Sequence, residues 1–172
     1  MSSKQAEPQA PLFANQREAN MESTIAMIED ILINLGHIVE DCRTDDFAQT
    51  PSWRVRKGSA WTRIELRKGK HSYRVRVVAT VVSLSASVDR LALYEKLLQL
   101  NSSHVSGAAF ALDDNQILLT SERSTMDLDR SELWDLISAV RDLADEYDDK
   151  LVSQFEGVSR APDATAAGTK ES

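Results

Sequence analysis

Residues 52–82 read SWRVRKGSAWTRIELRKGKHSYRVRVVATVV, and the period of this stretch decides the fold. Between 61 and 67, Thr62, Ile64 and Leu66 alternate with Arg63, Glu65 and Arg67. After His71, the residues Tyr73, Val75, Val77, Ala79 and Val81 oppose Arg74 and Arg76. A period of two puts apolar side chains on one face of a pleated strand and charged ones on the other. Gly58 and Gly69 fall where turns are required. The stretch therefore predicts three strands, 52–56, 61–67 and 71–82, forming an antiparallel meander with one buried face and one wet face.

Outside the meander the period changes to that of helices. Upstream, Met21, Ile25, Ile28, Leu32 and Leu35 recur at steps of four and three. They predict a helix over 21–35, widened by Ile31 and Ile33 and stopped by Gly36. Residues 37–41 read as a short strand. Downstream, Ser87 is expected to cap a helix over 88–100, with Asp89 in its first turn. Leu91, Tyr94, Leu97, Leu98 and Leu100 cover much of that helix's circumference, so a second side of it needs covering. Leu91, Tyr94 and Leu98 are accordingly the candidate dimer surface. A hairpin follows over 107–112 and 117–121, with its turn at 113–116. Asp129 and Glu132 then stand at capping-box spacing before a helix running to about residue 155. Leu133, Ile137, Val140, Ala144, Tyr147 and Leu151 form its apolar stripe.

The expected architecture is α+β: a single two-layer domain with an antiparallel sheet, in the order helix, β-meander, helix, β-hairpin, long C-terminal helix. Residues 1–18 and 157–172 carry no periodicity and read as disordered tails around a domain at 19–156.

Net charge is −7, but it is not spread evenly. Residues 53–76 hold nine Lys or Arg against one acid, a segment of +8, which leaves eleven bases against twenty-six acids, or −15, elsewhere. A basic sheet is joined to acidic helices. The single cysteine, Cys42, excludes an intrachain disulfide. No apolar run approaches the roughly 20 residues that span a bilayer, and the first residues lack the apolar core of a secretory signal. No membrane insertion and a cytoplasmic location are expected.

Catalytic, metal and cofactor motifs are not found. His37, His71 and His104 are not spaced as metal ligands with one another or with Cys42. The six glycines form neither a dinucleotide fingerprint nor a phosphate loop, because both need several glycines in one turn. The acids of the last helix, including Asp135, Asp142, Asp145, Glu146 and Asp149, read as a solvated face. A non-enzymatic protein without a cofactor is expected.

The residues from 91 to 122, LALYEKLLQLNSSHVSGAAFALDDNQILLTSE, pair a leucine-rich helix ending in Asn with a small-residue strand, an LDD turn and a return strand. Together with LDRSELWDLISAVRDLADEYDDKL at 128–151, they resemble the YbjN-type domain, which shares its fold with type III secretion chaperones of the CesT class. Asn101, Phe110, Leu112 and Asp113 stand at the matching positions, and the resemblance spans 21–155. It implies a dimerising, protein-binding fold that holds an extended segment of a partner. The insertion at 54–77 is more strongly charged than that class leads one to expect.

Trp53, Trp61 and Tyr73 lie among the nine cations, and alternation puts Trp61 on the side of Arg63 and Arg67. The expected partner surface is Trp53, Arg54, Arg56, Trp61, Arg63 and Arg74, and the expected partner is another protein offering an extended, acidic segment. Two alternatives are single-stranded nucleic-acid binding on the basic meander and a sensory-transduction regulator. The −15 of the remaining chain argues against the first, because it opposes phosphate approach.

Overall fold

The computed structural model describes residues 12–161 and contains one α+β domain with four helices and a six-stranded antiparallel sheet. In chain order the elements are α1 (Leu12–Asn34), α2 (Val39–Cys42), β1 (Ser52–Lys57), β2 (Ala60–Lys68), β3 (Tyr73–Leu84), α3 (Arg90–Ser103), β4 (Ala109–Asp113), β5 (Gln116–Ser124), α4 (Arg130–Gln154) and β6 (Val158–Arg160). The sheet order is β1-β2-β3-β5-β4, and β6 pairs with the far end of β3. The expected order of helix, meander, helix, hairpin and long helix is the one observed.

Alternation in the meander does what its period requires. Trp53 and Val55 of β1 stand opposite Ile64 and Thr62, which in turn face Val77 and Ala79. All six are buried, together with Leu66, Val75, Ile117, Leu119 and Phe110. Helix α4 crosses β1, β2, β3 and β5 on this face, while α1 packs on α4 and β3. The stripe Leu133, Ile137, Val140, Ala144, Tyr147 and Leu151 is buried throughout, and Tyr147 meets Phe110 edge to face at 5.4 Å.

The ends of the helices follow local chemistry. Helix α1 closes in a Schellman motif: Gly36, at φ +84°, donates to the Ile33 carbonyl and His37 to that of Leu32. Asp129 caps α4 by accepting from the backbone of Glu132, whose carboxylate accepts from the Asp129 N–H in return.

Several expectations are corrected. Residues 37–41 are not a strand: Val39–Cys42 form a single helical turn that buries Val39 and Cys42 against the core. Asp89, not Ser87, caps α3, because its carboxylate accepts from Ala92 N–H. Ile33 lies on the exposed side of α1. Helix α1 begins at Leu12, inside the stretch read as a tail; residues 16–19 are exposed and so carried no apolar period. At the other end, Val158–Arg160 form β6 and pair with β3 instead of trailing away. Residues 1–11 and 162–172 of the two expected tails lie outside the described residues.

Candidate partner-binding surface

Among the described residues no helix packs on the second face of the sheet, and the composition of that face follows from the register. Arg54 stands opposite Arg63, Arg56 opposite Trp61, Arg67 opposite Arg74 and Glu65 opposite Arg76. On β5, Glu122 and Ser124 continue the rows of Arg76 and Arg74. Like charges directly across a strand pair are unfavourable, so this end of the sheet needs counter-ions. Glu65 provides one: only 6 % exposed, it lies between the guanidiniums of Arg67, at 2.8 Å, and Arg63, at 3.8 Å. Asp46 receives Arg63 at 3.1 Å, and Glu122 receives Arg74. Hydrogen bonds from Thr44 and Ser52, with the Arg63 guanidinium, hold the Asp46 carboxyl below the usual carboxylate range. Beside these groups a cleft of about 640 Å³ opens between the 46–51 loop and Arg63, Arg67, Lys68 and Tyr73.

Trp61 sits at the boundary of this charged region. The guanidiniums of Arg54 and Arg56 lie 5.8 and 5.6 Å from its ring centroid, within cation–π range. Arg56 is further fixed by a 2.9 Å bond from its Nε to the Gly58 carbonyl. On the other side of the boundary the face loses its charge. Val78 faces Thr120, which faces Ala109; Thr80 faces Leu118, which faces Ala111. Leu118 is only 9 % exposed.

The structure brings Arg54, Arg56, Trp61, Arg63 and Arg74 together on one face. Trp53 is a correction. It is 0 % exposed on the core face, where its Nε1 donates to Glu29 at 3.3 Å and its ring meets Phe47 edge to face at 5.2 Å. Its alternation with Arg54 and Arg56 puts it with Val55. The uncharged half of the face was missed in the sequence. The signal was the run Ile117–Leu118–Leu119, whose middle member must point away from its two neighbours in a strand.

The acids of α4 are partly spent inside the molecule. Lys57 pairs with Asp142 at 3.0 Å, Ser59 donates to the buried Asp148 carboxylate, and Arg160 pairs with Asp149. The tip of the β1–β2 hairpin is thereby clasped to α4. Among the described residues no group of His, Cys, Asp and Glu is placed to hold a metal ion, and no helix is long and apolar enough to cross a membrane.

Residues 23–163 match the family model TY-Chap1, described as "T3SS (YopN, CesT) and YbjN peptide-binding chaperone 1". The chain belongs to this family. It is a chaperone-like peptide-binding domain. Three solved structures share the fold. A chain of the ExsC–ExsE complex is 12 % identical, with a TM-score of 0.51 over 74 % of this chain and 92 % of that one. A chain of the heterodimeric ExoU–SpcU complex, from the type III secretion system of Pseudomonas aeruginosa, is 20 % identical, with a TM-score of 0.52 over 75 % and 98 %. A chain of the HopA1–SchA chaperone–effector complex is 10 % identical, with a TM-score of 0.52 over 77 % and 97 %. None of the curated proteins matches the chain.

Proposed function

We propose that this TY-Chap1 protein holds an extended segment of a partner protein on the open face of its sheet, around Trp61. The observation that carries the reading is a face of the six-stranded sheet, free of any helix among the described residues, on which an aromatic ring, a set of arginines and an uncharged patch lie side by side. A sheet of that kind can bind main chain along its edge and side chains on its face. The solved structures that share the fold are complexes of two proteins, one of them a chaperone with its effector. The protein works without catalysis, in the cytoplasm.

The same reading makes the protein a homodimer through α3. Leu91 and Leu98, seven positions apart, are 80 and 69 % exposed, with Tyr94 between them. Adjacent strand β4 adds the exposed Leu112. Apolar side chains in one stripe at that exposure mark a surface awaiting a partner.

Replacing Trp61 and Arg63 together with alanine tests the partner surface. Recovery of a co-purifying protein, identified by mass spectrometry, is expected to fall while the circular dichroism spectrum is unchanged. Unchanged recovery removes this face as the site.

A further inference from the structure

We propose that the main chain of the partner enters the sheet at β5, as a short strand laid beside Glu122–Ser124 in line with β4, and that it carries a lysine or arginine toward Asp135 of α4. The proposal rests on the reading that this protein holds an extended segment of a partner, and it names the edge and the side chain involved.

The two strands of the β4–β5 hairpin are unequal. Strand β4 pairs from Ala109↔Thr120 to Asp113↔Gln116, whereas β5 runs on to Ser124. Beyond Thr120, β5 keeps β3 on one side and, among the described residues, has no strand on the other. Glu122 and Arg123 are exposed there. Which main-chain groups face the open side follows from alternation, because neighbouring residues of an antiparallel strand send their N–H and C=O to opposite sides. Thr125 donates its N–H to the Tyr73 carbonyl at 3.0 Å, so Arg123 and Ser121 also turn to β3, and Ser124 and Glu122 turn away from it. The hairpin end gives the same parity: Phe110 spends its N–H and C=O on Asn101, which leaves Ala109 and Thr120 to bond across the pair, and Glu122 and Ser124 continue the set of Thr120. An edge with unspent N–H and C=O groups is a template for another strand.

A cleft of about 670 Å³ lies along this edge, between β5 and one flank of α4. Five acids border it, Glu122, Glu132, Asp135, Asp142 and Glu146, and one base, Arg123. Four of the acids are paired: Glu122 with Arg74, Glu132 with Arg123 at 2.7 Å, Asp142 with Lys57 and Arg141, and Glu146 with Lys150. Asp135 is exposed and pairs with no cation among the described residues. Arg123 shares the α4 side of the sheet with buried Leu119, so an added residue opposite Arg123 also projects toward α4. A lysine or arginine there sets two cations against Glu132 and Asp135, whereas an acid there would set three carboxylates against Arg123 alone. Either strand direction alternates side chains between the two faces, so either can place the cation.

The probe is a labelled Thr-Val-Lys-Val-Thr peptide, titrated by fluorescence anisotropy against the full chain. Controls are the peptide with glutamate for lysine and the peptide N-methylated at its three central residues, which removes its donors in either direction. The lysine peptide is expected to bind about tenfold more tightly than the glutamate peptide, and Asp135→Lys to reverse that preference. The methylated peptide is expected not to bind. Glu122→Pro removes an N–H that faces the slot, so it should abolish peptide binding at close to the urea midpoint of Glu122→Ala, whereas Arg123→Pro breaks a bond to β3 and should fall well below Arg123→Ala. Equal affinity for the lysine and glutamate peptides overturns the cation. Binding of the methylated peptide, binding of none of the three, or equal losses of midpoint in the two proline variants overturns the added strand. If these fail while partner recovery still depends on Trp61 and Arg63, the inference alone falls; if recovery is also independent of those residues, the reading beneath it falls too.

Discussion

The side-chain amide of Asn101, near the end of α3, brackets the backbone of Phe110 in β4: its Oδ1 accepts the Phe110 N–H at 2.7 Å and its Nδ2 donates to the Phe110 carbonyl at 3.3 Å. Strand β4 closes the sheet on one side, and Phe110 faces Leu119 of β5 without spending these two groups on it. An asparagine therefore stands where a further strand would bond. Unpaired edge groups recruit other chains, so this bracket both anchors α3 and blunts the edge. Replacing Asn101 with alanine leaves a part-buried donor and acceptor unmatched, at a cost of about 1–3 kcal/mol. The urea midpoint is expected to fall and light scattering to report self-association at high concentration. An unchanged midpoint would show that the bracket contributes nothing.

The two tryptophans of the meander separate in the same kind of experiment. Trp53 fills the core beneath Phe47 and is held by Glu29, which also takes Arg43 at 2.7 Å. Trp53→Ala is expected to cost about 3–5 kcal/mol, as deletion of a large buried aromatic does. Trp61→Ala removes two surface cation–π contacts and is expected to cost about 1 kcal/mol or less. Comparable losses for both variants would contradict the two-faced register.

How much of this was legible beforehand depended on the length of each pattern. Thr62 to Leu66 and Tyr73 to Val81 repeat often enough to fix both strand and face, and Leu133 to Leu151 fixes a helix stripe. Short elements have no period. The single turn at Val39–Cys42 looks like a strand in sequence, and β6 exists only through its pairing with Val82, Ser83 and Leu84, a contact distant in sequence. Trp53 differs for another reason: its arginine neighbours suggest a surface, whereas its alternation with Arg54 and Arg56 puts it inside with Val55. The candidate site was half visible, because cations announce themselves while Ala109, Ala111 and Thr120 become a surface only when β4 and β5 are laid beside β3.

Acid is expected to loosen the start of α4. The backbone N–H of Glu132, then the Ser131 hydroxyl, hold the Asp129 carboxyl below its ordinary value. A carboxyl depressed by folding adds stability above its unfolded pKa of about 3.9, and that stability is lost as pH falls through the lower folded value. Asp46 contributes in the same direction. The melting temperature should hold from neutral pH down to about 4 and then decline. Asp129→Asn keeps an accepting oxygen for the cap and removes the titration. That variant should melt near the wild type at neutral pH and decline less in acid. An identical acid decline would assign the effect elsewhere.

The β1–β2 hairpin should depend on its clasp to α4. Gly58 adopts φ +54° in the two-residue turn between Lys57 and Ala60, and a Cβ there would overlap Asp145 Oδ1. Gly58→Ala therefore meets both backbone strain and a clash. Asp145→Ala relieves the clash alone, so the double variant is expected to recover part of the loss in urea midpoint and no more. Full recovery would mean that the turn conformation costs nothing, and no recovery that Asp145 is not the obstacle.

The exposed stripe of α3 is the surface through which the proposed homodimer would form. Leu91 and Leu98 touch little within the chain, whereas Leu93, Leu97 and Leu100 on the same helix are buried. Replacing Leu91 and Leu98 with aspartate should therefore spare the fold, since large losses of stability come from buried positions. If the stripe is the homodimer surface, the charges must be desolvated for two copies to meet, which opposes association strongly. Size-exclusion chromatography with light scattering should give a dimer for the wild type and a monomer for the variant, at equal melting temperature corrected for concentration. A wild-type monomer, or a variant that stays dimeric, places the exposed leucines outside any self-interface. The first result would leave them as a second apolar surface for the partner, to be tested by whether the variant still recovers it.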